Sequence, residues 1–188
     1  MSGWNCLLPA RIACGMAVGH GSDTVTRPVC WGELLVSFAA LPFCLVIGGL
    51  LRLYDVRSGA VTLPPGISTG HMLAMHVLLL ALAWLGYLAL SYELAGVAER
   101  QAQWPRFVIV INWVFLIQYI MTAISYVPQL LHGPSLLIQL AALCFSGWAL
   151  WIEWFATRNT LALSGLAAAG LVALDTMLSV GLVAMAPG

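Results

Sequence analysis

The chain has 188 residues, 62% of them hydrophobic and 7% charged, with seven acidic residues balancing seven basic ones, all arginine. A soluble domain carries roughly 25% charged residues, so water is excluded as the main solvent, and the lack of any basic run excludes a nucleic-acid-binding surface. What this leaves is a membrane protein whose first partner is the lipid bilayer, with room for four to six helices at about 20 to 25 residues per span.

Residues 1–30 carry Arg11 inside a short apolar stretch with no positive region ahead of it, so they fail as a secretory signal. They are expected to stay attached as a cytoplasmic or interfacial segment. Arg11 also stands three residues before Cys14, where a lipoprotein signal needs an apolar residue. The five cysteines (Cys6, Cys14, Cys30, Cys44 and Cys144) form no C-x-x-C pair, which argues against a disulfide framework and against a zinc site.

Residues 31–188 are expected to form one transmembrane helical domain. A first span over about 31–51 is kinked by Pro42 and followed by Arg52, Asp55 and Arg57. Pro64, Pro65 and nearby glycines then enforce an extended connection. The second span covers about 71–92 and stops before Glu93, Glu99 and Arg100. From residue 107 to residue 152 there is no Asp, Glu, Lys or Arg, more than twice the length one crossing requires. Pro128, His132, Gly133 and Pro134 interrupt that run near its middle, so it divides into a helical hairpin with spans at about 107–127 and 135–155. A fifth span follows Arg158 and Asn159 and covers about 160–183. The spans differ in length and share no repeated motif. The expected fold is therefore all-α, a polytopic transmembrane helix bundle of about five spans.

Arginine placement orients the bundle. With a cytoplasmic N-terminus, the inner segments hold Arg11, Arg27, Arg100, Arg106 and Arg158, and the outer ones only Arg52 and Arg57. This favours a multi-pass protein of the cell inner membrane, N-terminus in and C-terminus out. Trp31, Trp104, Trp151 and Trp154 then gather near one interface as an aromatic belt.

Asp175 is the costliest residue, because it interrupts the last apolar segment. At helical spacing it shares a face with Gly165, Ala168, Val172 and Ser179, a small-residue face suited to helix packing. Counting depth from the outer ends of the spans puts His76 and Gln139 near the same level, so a polar cluster of Asp175, His76 and Gln139 is expected. The readings for Asp175 are an interhelical hydrogen-bond anchor, an interfacial residue if the fifth span ends early, a proton or cation site, or a contact to an arginine of another membrane subunit. Asn112 and Gln118, with Gln139 and Ser146, are further candidates for bonds across the hairpin.

His71 and His76 are five residues apart, about 140° around a helix, so they do not form an i, i+4 metal or haem pair. Neither a G-x-S-x-G elbow nor an H-E-x-x-H helix occurs. The sequence therefore points to no catalytic residue, no metal and no cofactor, and the protein is expected not to be an enzyme.

Trp104-Pro105-Arg106, Asn112-Trp113 and Trp154-Phe155-Ala156-Thr157-Arg158, with the order of unequal spans, carry a layout resemblance over most of the chain. In this layout the chain resembles small uncharacterised inner-membrane proteins of proteobacteria with a Yip1-like five-span arrangement. The resemblance implies a bilayer protein with a scaffold or assembly role and brings no catalytic residues with it. The leading expectation is a non-enzymatic scaffold, assembly or accessory subunit that packs with other membrane subunits or with its own copies. The alternative is a small transporter or channel component with a proton or cation site around Asp175.

Overall fold

The computed structural model describes residues 31–63 and 65–185, with side chains as far as Gly181. The segment 1–30, including Arg11 and Arg27, lies outside the described residues. The first span consists of α1 (Trp31–Ser37) and α2 (Ala40–Arg57), separated at Phe38 and Ala39. Pro42 is the cause: it has no amide hydrogen for the Phe38 carbonyl, and its ring crowds that carbonyl. The chain tightens there into three-residue turns, with the amides of Phe38, Ala39 and Leu41 donating to the carbonyls of Leu35, Val36 and Phe38.

The connection that follows uses Gly59 and Gly66 at φ 75° and φ 91°. Glycine adopts that left-handed conformation without steric cost. Ser68 then caps α3 (Thr69–Val97), its hydroxyl accepting from the His71 amide at 3.2 Å, which satisfies one of the free donors of the first turn. A short 3₁₀ turn at Gln101–Gln103 leads into α4 (Trp104–Ser125). Pro105 lies in its first turn, where a missing amide hydrogen costs nothing. The hairpin break comprises α5 (Val127–Leu130) and a turn in which the Gly133 amide donates to the Pro128 carbonyl at 2.8 Å.

α6 (Ser135–Thr160) and α7 (Gly165–Met185) complete the bundle. Their junction lies later than the sequence suggests, since α6 runs to Thr160 where an end near 155 is expected. α6 includes Asn159 and Thr160, whose side chains bond back to the carbonyls of Phe155 and Ala156, both at 2.7 Å. The chain reverses only at Ala162, in the left-handed region at φ 49°, where the Leu163 amide closes onto the Arg158 carbonyl. A left-handed residue just past the last turn is a common way to end a helix.

The helices form a ring in the order α2, α3, α7, α6, α4, with α4 returning to α2 and α1 lying along α4. α7 thus inserts between α3 and α6. Among the described residues, four helical segments are long and apolar enough to cross a membrane: Trp31–Arg57, Thr69–Val97, Gln101–Leu130 and Ser135–Thr160. α7 is apolar as well and comprises 21 residues. At roughly 1.5 Å per residue it is about 32 Å long, close to the thickness of the hydrocarbon layer. Leu78, Leu143 and Leu166 face outward, as expected of side chains bathed in hydrocarbon. The dense core, built from Tyr87, Phe107, Ile111, Leu161 and Leu171, sits at the end of the bundle where α6 turns into α7.

Candidate functional site

Beyond that core the helices part around a cavity of about 610 Å³ to which every span contributes, for example Cys44, Trp84, Gln118, Glu153 and Asp175. α4 lines it from Asn112 to Ser125, a stretch of about 20 Å at the helical rise per residue. The closed end rests on the core, and the lining runs toward the end of the bundle that carries the hairpin turn.

The cavity exists because α6 presents small residues to it. Ala142, Ser146, Ala149 and Glu153 recur at steps of four, three and four, one stripe of a helix. Small side chains leave space, and Glu153 projects into its inner end. Glu153 is only 2% exposed. Its Oε2 accepts from Gln118 Nε2 at 3.2 Å, and the same nitrogen donates to the Ala149 carbonyl at 2.9 Å. Its other oxygen, Oε1, is buried with no partner.

Asp175 approaches from α7, partly buried, close enough for its charge to act on Glu153. Among the described residues, no arginine or histidine lines the cavity. A bare carboxylate in such surroundings costs several kcal/mol, and two of them repel each other. That cost falls if one of the two acids is protonated or if a positive charge lies between them. Tyr87 adds a third polar group behind the wall: its hydroxyl is buried, feels the charges of both acids, and lies near Thr157 Oγ1 without closing a hydrogen bond to it.

A second polar group borders the cavity and is built differently. Trp84 Nε1 donates to Asn112 Oδ1 at 3.1 Å, Asn112 Nδ2 donates to Ser37 Oγ at 3.1 Å, and the Ser37 hydroxyl donates to the Leu34 carbonyl at 2.7 Å. This chain joins α1, α3 and α4, and the edge of Phe38 packs on Trp84 with ring centroids 5.4 Å apart.

Of the three residues expected to cluster, only Asp175 lines the cavity; His76 and Gln139 do not. Gln139 is exposed near the start of α6. His76 belongs to a separate group near the hairpin end, where the nearby charges are Arg52 and Asp55 and where Tyr126 donates to Asp55 at 3.3 Å. The physical reason is the late start of α7, at Gly165 where a start near 160 is expected. That shift moves Asp175 about 7.5 Å toward the α6–α7 turn at the helical rise per residue, and so level with Glu153. Of the amides, Gln118 does bond across the hairpin, whereas Asn112 turns to α1 and α3. Among the described residues, no group of three His, Cys, Asp or Glu side chains is placed to hold a metal ion.

Glu153 and its link to Gln118 escape a reading of the sequence that treats Glu153 as the charged end of an uncharged run. The signal lies in the Ala142, Ser146, Ala149, Glu153 stripe, whose small residues point the same way as the acid. Compared with protein-family models, curated proteins and solved structures, the chain matches none.

Proposed function

We propose that this chain is a small membrane transporter or channel component that exchanges protons against a cation at Glu153 and Asp175. The observation that carries the reading is Glu153, 2% exposed and with one oxygen unpartnered, in the wall of a cavity that, among the described residues, also holds Asp175 and no basic side chain. A merely structural acid in a membrane bundle is expected to have both oxygens satisfied by neighbouring helices. This acid keeps one oxygen without a partner while its side chain lines a cavity. The role is one of binding and translocation and involves no covalent chemistry.

The arginine distribution supports an inner-membrane orientation with the N-terminus in the cytoplasm. With five crossings the hairpin end of the cavity then faces outward. Reporter fusions test this: a periplasm-active reporter is expected to work at the C-terminus and to fail after Arg100, and the reverse pattern overturns the orientation.

The function is tested by reconstituting the full chain in liposomes and following internal pH under an imposed cation gradient. The parent protein is expected to move protons above the protein-free rate, Glu153→Gln to abolish that flux and Asp175→Asn to reduce it. A folded parent with no flux above the lipid background overturns the reading and leaves the scaffold or accessory-subunit role, together with the Yip1-like layout, as the better account.

A further inference from the structure

Resting on that reading, a second question is what kind of cation the cavity accepts. A bare metal ion is a poor fit. Hard cations need about six or more oxygen ligands at about 2.0 to 2.6 Å, and the described residues provide no cluster of that density. The volume is also wrong, because about 610 Å³ is far more than one ion and its first water shell require. It falls within the range of small-molecule sites.

The walls supply the other half of the argument. Trp84, Phe115, Tyr119 and Phe145 bring aromatic rings from α3, α4 and α6, with Tyr126 just past the end of α4, to one cavity whose lining also includes two carboxyl groups. Aromatic faces attract a cation with a diffuse, weakly hydrated charge, while a carboxylate compensates that charge directly. A strongly hydrated ammonium or metal ion loses too much water to profit from the rings.

We propose that the cavity binds a lipophilic organic monocation of the quaternary ammonium or phosphonium class, with the charged centre at Glu153 and Asp175 and the hydrocarbon groups against the rings. Binding displaces one proton from the acid pair to solvent, so cation and proton compete for the same negative charge. The titratable groups facing Glu153 are Asp175 from α7 and Tyr87 from α3; Tyr119 from α4 lies near Asp175, and Cys44 from α2 lies near Tyr119. None of them is a base that would take the proton in place of solvent.

The experiment uses the full chain in mild detergent, tetraphenylphosphonium as the probe and triphenylphosphine oxide as its neutral counterpart. Equilibrium dialysis is expected to show saturable binding at one tetraphenylphosphonium per chain. Affinity is expected to rise about tenfold per pH unit where one proton is released, and that proton should appear in weakly buffered solution. Glu153→Gln is expected to lower affinity at least about tenfold while eluting like the parent. Should that variant aggregate, Phe115→Ala provides the independent reading, with an expected loss of about fivefold from the missing ring. Equal binding of the neutral oxide, or unchanged tetraphenylphosphonium affinity in the folded variants, overturns the inference and leaves an apolar hole. No tetraphenylphosphonium binding together with a Glu153-dependent proton flux in liposomes overturns the inference alone and leaves the proton and cation reading intact. Absence of both removes both.

Discussion

Two polar groups border the same cavity, and they differ in one respect that separates support from chemistry. In the first, Ser37, Trp84 and Asn112 meet from three helices, and each donor finds an acceptor. In the second, Glu153 has one oxygen bonded to Gln118 and one without a partner, while Asp175 lies close by and, among the described residues, no basic side chain lines the cavity they share. Burial is the same, since Asn112 and Glu153 are each 2% exposed. Inside a membrane, a satisfied network specifies which helices touch, whereas an unsatisfied one stays in place only if something else completes it. The contrast teaches that polarity alone does not mark a site in a bundle of this kind. Here the second group is set apart by joining an unpartnered oxygen to a place in the cavity wall beside a second acid.

The largest effect expected on stability comes from breaking the satisfied group. Asn112→Leu removes an acceptor from Trp84 and a donor to Ser37, leaving the indole N–H buried without a partner. Interhelical bonds in bilayers contribute modestly one by one, so the loss is expected to be about 1 to 2 kcal/mol across the two contacts. It should appear as a lower midpoint in detergent thermal unfolding. An Asn112→Leu protein as stable as the parent would remove the distinction, because the satisfied group would then be as dispensable as the open one.

A smaller effect probes how rigidly the cavity wall is held. Gly48 lets α2 approach its neighbours: a Cβ there would meet Leu80 Cδ1 at 2.9 Å and Tyr119 Cε1 at 3.1 Å. Both atoms are at the ends of side chains that line the cavity, so they can yield into it. Gly48→Ala is therefore expected to cost about 1 kcal/mol, the low end of overpacking, and to weaken organic-cation binding by narrowing the space. Gly86, where a Cβ meets nothing within 4 Å, provides the control. Gly86→Ala is expected to be neutral or to stabilise by up to about 1 kcal/mol through helix propensity. A Gly48→Ala cost larger than that of Asn112→Leu would show a wall too stiff to admit a ligand.

The broad architecture was legible because the bilayer enforces it. An uncharged run from 107 to 152 broken by Pro128 and Pro134 has few solutions besides a hairpin, and the structure folds it as one. Pro42 announced the interruption of the first span, although the break falls a turn earlier, at the carbonyl the proline leaves without its usual donor. The site was much less legible. Asp175 stood out by its cost, but its partner depended on depth, and depth depended on where α6 ends. Asn159 and Thr160 look like helix terminators, yet both lie inside α6 with their side chains turned back onto Phe155 and Ala156. The misplaced junction exchanges His76 and Gln139 for Glu153. Ring order is the other missing element, because nothing in the spacing of spans shows that α7 inserts between α3 and α6.

The smallest expected change in stability is the most decisive for the comparison. Glu153→Gln keeps the shape of the side chain and an oxygen for Gln118 to bond, while it removes the ionisable group from a buried, like-charged pair. If Glu153 were structural in the way Asn112 is, the change would cost stability. If its carboxylate is held for a ligand, the ligand-free protein loses nothing and can gain up to about 1 kcal/mol, because a buried charge without a partner is itself a burden. The expected result is a thermal midpoint equal to or above that of the parent, measured without added organic cation. Adding tetraphenylphosphonium should then raise the parent's midpoint by mass action and leave the variant's where it was. A variant less stable than the parent, and equally responsive to the cation, would place Glu153 with Asn112 among the residues that only hold helices together.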